Sequence, residues 1–427
     1  MSFSFLRKAL STTGLILTAL ILSSCNLVAY PVPQRAFMLD NERQSKALTM
    51  MVYMAADNDL ESYALQNLKQ MERADFSKIN LLVLLDRSEA YDETNGNWTD
   101  TRLFEVLQDK SSSANIISKR LDCPTLGLSK DSATELDMGN SYVLKGFIDF
   151  AKSNYPAQKH ALIIWGHGTG WRYSSTDSRA ASRAVAIDDK TKSYMSVKDL
   201  GQALKDTCLD VIGFDTCFGS TIENLFELKD CTSFIVAGPG LSPAQGWNYK
   251  ELLEKLSASD FSAQSISSLM DQYSNCDTAV TETSQISQIM NALDNFSQAL
   301  AATINDKESQ VLVLDKLLQV KNYSYIQYPC DIFIDINSMA QAFTNQNNSI
   351  LTAAANNLQT LTSEEKISVH LIPAIGKGIL SPCHSIDYIK DNSNKNQCSF
   401  IKESQWWVPT VTENSGSLLD KLFYTNY

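Results

Sequence analysis

Two short apolar runs, Ala161-Leu162-Ile163-Ile164-Trp165 and Leu209-Asp210-Val211-Ile212-Gly213-Phe214, lie on either side of a helical pattern over Val197 to Lys205. Runs this short, rich in β-branched and aromatic residues, suit strands buried on both faces. The same alternation appears earlier. Thr49 to Ala55 and Ile79 to Asp86 read as strands around an amphipathic helix near Leu60 to Ala74, with Leu65, Leu68 and Met71 on one face. Ser141 to Ser153 reads as a helix, Asn95-Gly96 before Thr101 to Val106 suggests a hairpin, and Phe234 to Ala237 reads as a further strand. Strands alternating with helices imply a mostly parallel sheet covered on both faces, an α/β architecture.

In such a sheet, ligands bind in the crevice at the carboxyl ends of the strands. The two runs end there in Gly166-His167-Gly168 and Asp215-Thr216-Cys217. A cysteine ending a core strand is by default a small apolar filler. An imidazole beside it changes the chemistry, because the thiolate, and not the thiol, attacks a carbonyl. His167 as general base and Cys217 as nucleophile are therefore the candidate catalytic pair. Gly168, with no Cβ, lets the chain pass close to a substrate, and the Gly168 and Cys217 N–H groups are the candidate oxyanion hole.

Several ordered segments carry a family resemblance. They are Val52-Tyr53-Met54-Ala55-Ala56-Asp57-Asn58-Asp59-Leu60-Glu61, Glu135-Leu136-Asp137-Met138-Gly139-Asn140, the Trp165-Gly166-His167-Gly168 box, Ala186-Ile187-Asp188-Asp189, the Gly213-Phe214-Asp215-Thr216-Cys217 box, and Gly246-Trp247. In these the chain resembles the clostripain family of cysteine peptidases, relatives of caspases, legumain and gingipains. The resemblance implies a caspase-like α/β/α sandwich, a His167/Cys217 dyad and protein or peptide substrates. It also implies that Asp215 is the acidic residue at the floor of the substrate pocket, favouring Arg or Lys through a charge-assisted bond. An aspartate satisfied by nearby backbone N–H groups is the plainer reading of Asp215. Gly238-Pro239-Gly240 stands where many relatives carry acidic residues, which weakens the expectation of basic specificity but not of the dyad.

Clostripain-like enzymes commonly cut themselves between the histidine and cysteine strands. The loop from Trp171 to Ala184 offers Arg172, Arg179 and Arg183 among Ser, Thr and Ala. Some relatives depend on calcium, which stays open here. Asp57-Asn58-Asp59 and Asp188-Asp189 offer oxygens without the spacing of a known calcium loop, and Asp59 reads more simply as the cap of the helix starting at Leu60. No other cofactor is expected and no metal ligands are assigned. No cysteine spacing resembles a zinc site, and Cys383 beside His384 is a weak cue.

Arg7 and Lys8 precede an apolar run from Ala9 to Leu22 and then Ser23-Ser24-Cys25. That is a secretory signal over residues 1–24, too short to span a membrane comfortably. Leu22-Ser23-Ser24-Cys25 also matches a bacterial lipobox, with Cys25 as the lipid-attachment residue and residues 25–45 as a tether to a cell membrane, facing the periplasm or the cell surface. The net charge of −12 becomes −14 once a leader holding Arg7, Lys8 and no acid is removed. Such a surface repels nucleic acid and anionic headgroups, so the membrane contact must come from the lipid. A monomer is expected.

The peptidase core is expected over residues 46–250, and a helix-rich region packing on it over 251–427. That region includes helices at Phe261 to Tyr273, Ile286 to Ile304 and Ile336 to Leu361, and apolar strands near Ile332-Phe333-Ile334 and Val369 to Pro373. Trp406-Trp407 reads as a buried anchor before an exposed patch. Outside Cys25 and Cys217, seven cysteines remain, an odd number that cannot all pair, with Cys383 and Cys398 placed to close a loop. A second functional reading stays open, in which the chain is a non-catalytic surface lipoprotein binding peptides on the same fold. A third is a caspase-like peptidase preferring a residue other than Arg or Lys.

Overall fold

The computed structural model describes residues 44–89, 91–170, 185–320, 322–325, 328–363, 379–380 and 404. The signal segment with Cys25, the loop holding Arg172, Arg179 and Arg183, Val369 to Pro373, Cys383, Cys398 and Trp406-Trp407 all lie outside them.

In chain order the elements begin with β1 (Lys46–Ala56), α1 (Glu61–Glu72), β2 (Ile79–Arg87), β3 (Arg102–Glu105), β4 (Lys119–Arg120), α2 (Ser141–Asn154) and β5 (Ala157–Trp165). There follow β6 (Val185–Asp188), β7 (Ser193–Met195), α3 (Val197–Leu204), β8 (Leu209–Asp215), α4 (Ile222–Leu228) and β9 (Thr232–Ala237). Last come α5 (Tyr249–Ser257), α6 (Ala263–Gln272), β10 (Ala279–Glu282), α7 (Ile286–Ala301), α8 (Lys307–Gln319), β11 (Asn322–Tyr325), β12 (Tyr328–Ile334), α9 (Ile336–Ala342), α10 (Ser349–Leu361) and β13 (Ile379–Leu380).

One sheet of eight strands organises the molecule, in the order β10-β9-β8-β5-β1-β2-β3-β4. The pairs β9–β8, β8–β5, β5–β1 and β1–β2 are parallel, and the flanking strands are antiparallel. Burial alternates between the faces with the two-residue period of a strand. On β1, Met51, Tyr53 and Ala55 join one apolar cluster, while Leu48, Met50, Val52 and Met54 join the other. Residues of α2, α3, α4 and α7 cover the first face and residues of α1, α5 and α6 the second, completing the α/β/α sandwich. Truncating a core leucine of this kind typically costs about 2–5 kcal/mol.

Three expectations are revised. The sheet crosses residue 250, because β10 pairs antiparallel with β9 and extends the core sheet. The long helix over Ile336 to Leu361 is two helices, because Asn348 caps α10 with its Oδ1, which accepts from the N–H groups of Ile350 and Leu351 at 3.0 and 3.1 Å. The Asn95-Gly96 turn does have left-handed backbone, but it sits within a connection between β2 and β3 and does not join two strands directly.

A buried ion pair holds that connection. Arg87 Nε reaches Glu61 Oε1 at 2.5 Å with both side chains fully enclosed, and Arg87 Nη2 donates to the carbonyl of Asp92. Glu61 Oε2 accepts from the Asp92 N–H at 3.0 Å, and the Arg87 guanidinium lies 4.6 Å over the Trp98 ring. Because Glu61 is the first residue of α1, the pair fixes the helix end next to which the site is built. Breaking such a pair leaves a buried charge and costs about 3–5 kcal/mol.

Candidate active site

β5 and β8 run side by side with Trp165 opposite Asp215, so His167 and Cys217 each stand two residues beyond the same rung. Both line one cleft of about 190 Å³, together with Leu60, Trp165, Gly166, Asp215, Thr216, Ser242, Pro243, Ala244 and Gly246. A larger hollow of about 420 Å³, lined in part by Asn95, Trp98, Arg102 and Arg120, is lined by neither a cysteine nor a histidine. Gly168 is where close approach matters. A Cβ there would lie 2.5 Å from the Cys217 carbonyl oxygen and 2.7 Å from Thr216 Cβ, so only glycine lets the two strand-end loops meet.

Cys217 is half-buried and covered by the segment after β9. The Ser242 N–H donates to Cys217 Sγ at 3.3 Å, and Ser242 Oγ donates to the Thr216 carbonyl at 2.8 Å. Gly240 and Gly238 contribute backbone carbonyls, which accept from Phe218 N–H at 2.8 Å and Ser220 N–H at 3.0 Å. Gly238-Pro239-Gly240 thus acts through its main chain, holding the loop that carries Cys217. That grip matters because Phe218, next to Cys217, has φ +54°. A bulky residue in the left-handed region costs about 1–3 kcal/mol and persists only where its surroundings hold it. Burial pushes the Cys217 thiol up, the Asp215 charge adds to this, and the Ser242 N–H only partly offsets it. Burial thus favours the protonated thiol of Cys217, the candidate nucleophile, over its thiolate.

The His167 ring reaches in a different direction from the one expected. Its Nε2 lies 2.6 Å from Asp59 Oδ1. Asp59 is not the cap of α1: the residue in the cap position is Leu60, without a side-chain bond, and Asn58 Oδ1 instead accepts from the Leu60 N–H at 3.0 Å. The hydrogen bond to His167 holds the Asp59 carboxyl below its ordinary value. Among the described residues no hydrogen bond joins His167 to Cys217; the two share the cleft.

Asp215 is buried beneath the cleft. Its Oδ2 accepts from the Trp247 N–H at 3.0 Å and from Tyr249 Oη at 2.8 Å, and both bonds favour the carboxylate. Burial outweighs them and pushes the carboxyl up to about 7. The two donors come from the Gly246-Trp247 segment, whose turn needs the left-handed glycine at Gly246, φ +68°. Trp247 in turn packs over Gly213, where a Cβ would meet the ring at 2.6 Å. These motif residues are therefore one packed unit beneath the cleft that Cys217 lines.

Acids gather at the carboxyl ends of β1 and β2. Asp57, Asp86 and Glu135 each offer an oxygen within 4.8 Å of the others. Burial pushes Asp57 up to about 6, with an opposing hydrogen bond from Ser88, and raises Asp86 and Glu135 as well. Asp188, one of the expected oxygen donors, is committed to backbone: its Oδ2 accepts from Met138 N–H at 3.1 Å and its Oδ1 from Thr191 N–H at 2.8 Å. Sequence reasoning missed Asp59 as a partner of His167, Ser242 over Cys217, and Asp86 and Glu135 beside Asp57. Asp59 and Asp57 were visible as acids at the end of a strand, but strand order was needed to place them.

The clostripain family's sequence model matches residues 52–410 of the chain. Clostripain of Hathewaya histolytica is 29% identical over 285 residues, which cover 59% of this chain and 52% of that protein, so the chain spans about half the length of this curated relative. Among solved structures, an inactive zymogen C11 protease from Parabacteroides distasonis superposes with a TM-score of 0.58 at 18% identity, covering 85% of this chain and 99% of that one. A secreted C11 cysteine protease from Bacteroides thetaiotaomicron, in complex with an irreversible peptide inhibitor, gives 0.54 at 18% identity, with 85% and 98% covered. These two likenesses show the fold.

Proposed function

The chain belongs to the clostripain family, and from that premise we propose that it is an exported cysteine endopeptidase cleaving after Arg or Lys. The observation that carries the reading is the shared cleft: His167, Cys217 and Asp215 all line it, although the two segments lie fifty residues apart in the chain. In the proposed reaction His167 removes the Cys217 proton, and the thiolate attacks the scissile carbonyl carbon. The resulting oxyanion is met by the Gly168 and Cys217 N–H groups. Collapse expels the amine, which takes the proton from His167 and leaves a thioester. Water, deprotonated by His167, then releases the acid and regenerates the thiol.

Support for basic specificity comes from Asp215. Among the described residues both hydrogen bonds land on Oδ2, so Oδ1 keeps capacity for an incoming cation. A substrate guanidinium or ammonium would favour the carboxylate that burial opposes. The state described here has Cys217 under Ser242 and His167 on Asp59, an arrangement that suits a latent enzyme. Cutting at Arg172, Arg179 or Arg183 is the proposed release, in keeping with the zymogen form of the Parabacteroides distasonis relative. Export follows the sequence signal and the secreted Bacteroides thetaiotaomicron relative, with Cys25 as the proposed lipid anchor.

The test is hydrolysis of fluorogenic peptides with Arg, Lys, Asn or Asp before the scissile bond, in reductant, with Cys217→Ala as control. Cleavage after Arg or Lys that vanishes in the variant is expected. Cleavage confined to Asn or Asp would sink the basic-pocket assignment and leave the nucleophile in place. Hydrolysis that survives Cys217→Ala would sink the dyad. Absence of all cleavage, after trypsin nicking of residues 171–184, would favour the peptide-binding lipoprotein.

A further inference from the structure

We propose that the hollow beside Trp98 is a second binding site, which takes the carboxylates of an acidic stretch in a polypeptide substrate. That the ligand is a substrate rests on the endopeptidase reading above; that the hollow binds carboxylates does not. Arg102 and Arg120 line the hollow and no Asp or Glu does, although the chain as a whole carries 48 acids against 36 bases.

The two cations are only half neutralised. Arg102 Nε donates to Asp100 Oδ1 and Arg120 Nη2 to Asp100 Oδ2, each at 2.9 Å, so two guanidiniums share one carboxylate. Nearby acids are committed elsewhere: Glu61 and Asp92 to Arg87, and Glu72 to Lys69 at 3.4 Å. Among the described residues Arg102 Nη1 and Nη2 and Arg120 Nε and Nη1 meet no acceptor. Burial pushes the Arg102 guanidinium down from its ordinary value; Asp100 opposes this, and Arg120 and Arg87 add to it. A guanidinium fork suits a carboxylate through two parallel bonds, and the pair that already holds one has the nitrogens for another. The rest of the lining fits a glutamate in a peptide. Arg102 Cζ stacks 4.3 Å over the Trp98 ring, which fixes its position. Phe104 and Ile116 add apolar surface for the side-chain methylenes, and at the exposed rim the Asn115 amide has no partner among the described residues and can bond a peptide backbone.

Sheet register ties the hollow to the cleft. Trp165, which lines the cleft, pairs with Met54, Met54 with Leu85, and Leu85 with Arg102, so Arg102 stands on the same rung three strands away. Trp165, Met54, Leu85 and Phe104 share one apolar cluster, which puts the hollow and Trp165 on the same face of the sheet. Three strand spacings are about 14 Å, a distance that about four residues of extended peptide cover. One polypeptide can therefore occupy both places, with its acidic stretch four or more residues from the scissile bond.

The first test measures binding to full-length Cys217→Ala protein, by fluorescence anisotropy of a labelled peptide with four glutamates between glycines. Saturable binding that weakens as salt rises is expected, with no competition from the glutamine version of the peptide. Arg102→Gln and Arg120→Gln should each weaken binding about tenfold, the worth of a charge-assisted bond. Asn115→Asp, which adds an acid at the rim, should weaken it severalfold without touching the fold, and decides with Arg120→Gln if Arg102→Gln does not fold. Absence of binding, or binding unchanged in these variants, would overturn the site. Inorganic phosphate competing as well as the peptide would overturn the choice of carboxylate. In active enzyme the four glutamates are then placed four or more residues from the scissile bond of an Arg peptide, on each side in turn. On one side KM should fall about tenfold with kcat unchanged, and the gain should vanish in Arg120→Gln. No gain on either side would overturn the role in substrate recognition. Failure to hydrolyse any peptide would count against the endopeptidase reading alone, and the anisotropy measurement would still decide whether the hollow binds carboxylates.

Discussion

Gly168→Ala tests the cleft most directly, because the geometry supplies the size of the effect. The new Cβ would stand 2.5 Å from the Cys217 carbonyl oxygen and 2.7 Å from both Thr216 Cβ and Oγ1. Ordinary contact is about 3.5 Å, so the loops carrying His167 and Cys217 must part by about 1 Å. Gly168 does not have left-handed backbone, so the cost is one of space. Overpacking of this kind destabilises by about 1–3 kcal/mol, a melting shift of a few degrees. The catalytic loss is larger, since a 1 Å misplacement costs about 100-fold in rate. The assay is kcat/KM on the best Arg or Lys peptide, normalised by active-site titration to folded, reactive enzyme. Gly96→Ala is the control: its φ of +84° strains an alanine while its Cβ meets nothing within 4 Å. It should lose a similar stability, about 1–2 kcal/mol, and keep its activity per folded molecule. The reasoning fails if Gly168→Ala retains kcat/KM within threefold of the parent.

Asp59→Asn should lower kcat/KM by about threefold to tenfold with little change in melting temperature, because the pair with His167 is substantially exposed and such pairs contribute about 1 kcal/mol or less; a rise in activity would show instead that Asp59 restrains the histidine. Asp215→Asn should cut kcat/KM for Arg and Lys peptides by about 10- to 100-fold, the worth of a charge-assisted bond, while leaving uncharged substrates nearly unaffected. The same variant has a stability signature. A carboxyl held at about 7 in the folded protein keeps a proton that the unfolded chain releases near pH 4, so raising the pH between those values removes stability, by at most about 4 kcal/mol. Urea unfolding at pH 5 and pH 7.5 should show a smaller decline for Asp215→Asn than for the parent, and equal declines would contradict burial as the cause.

Much of this arrangement was legible locally. The runs at Thr49 to Ala55, Ile79 to Asp86, Ala161 to Trp165 and Leu209 to Phe214 match β1, β2, β5 and β8 within a few residues. Burial on both faces leaves a composition that short-range patterning registers well. Asp59 was misread because a carboxylate before a helix is a common cap, and nothing local says that a histidine more than a hundred residues later competes for it. The divided helix over 336–361 was misread for a related reason: apolar period continued across it, while the cap at Asn348 interrupts the backbone.

Residue chemistry and periodicity determined that this chain makes a parallel sheet with a thiol and an imidazole at strand ends, since both properties are written within a few residues of each position. Which strands are neighbours was decided only in three dimensions. The order β8-β5-β1-β2 brings Cys217, His167, Asp59 and the acids at 57 and 86 to one edge, and it follows from how the helices divide the two sheet faces between them. Contacts of that kind join residues fifty to a hundred positions apart, and their energies depend on packing and burial that no local stretch of sequence contains.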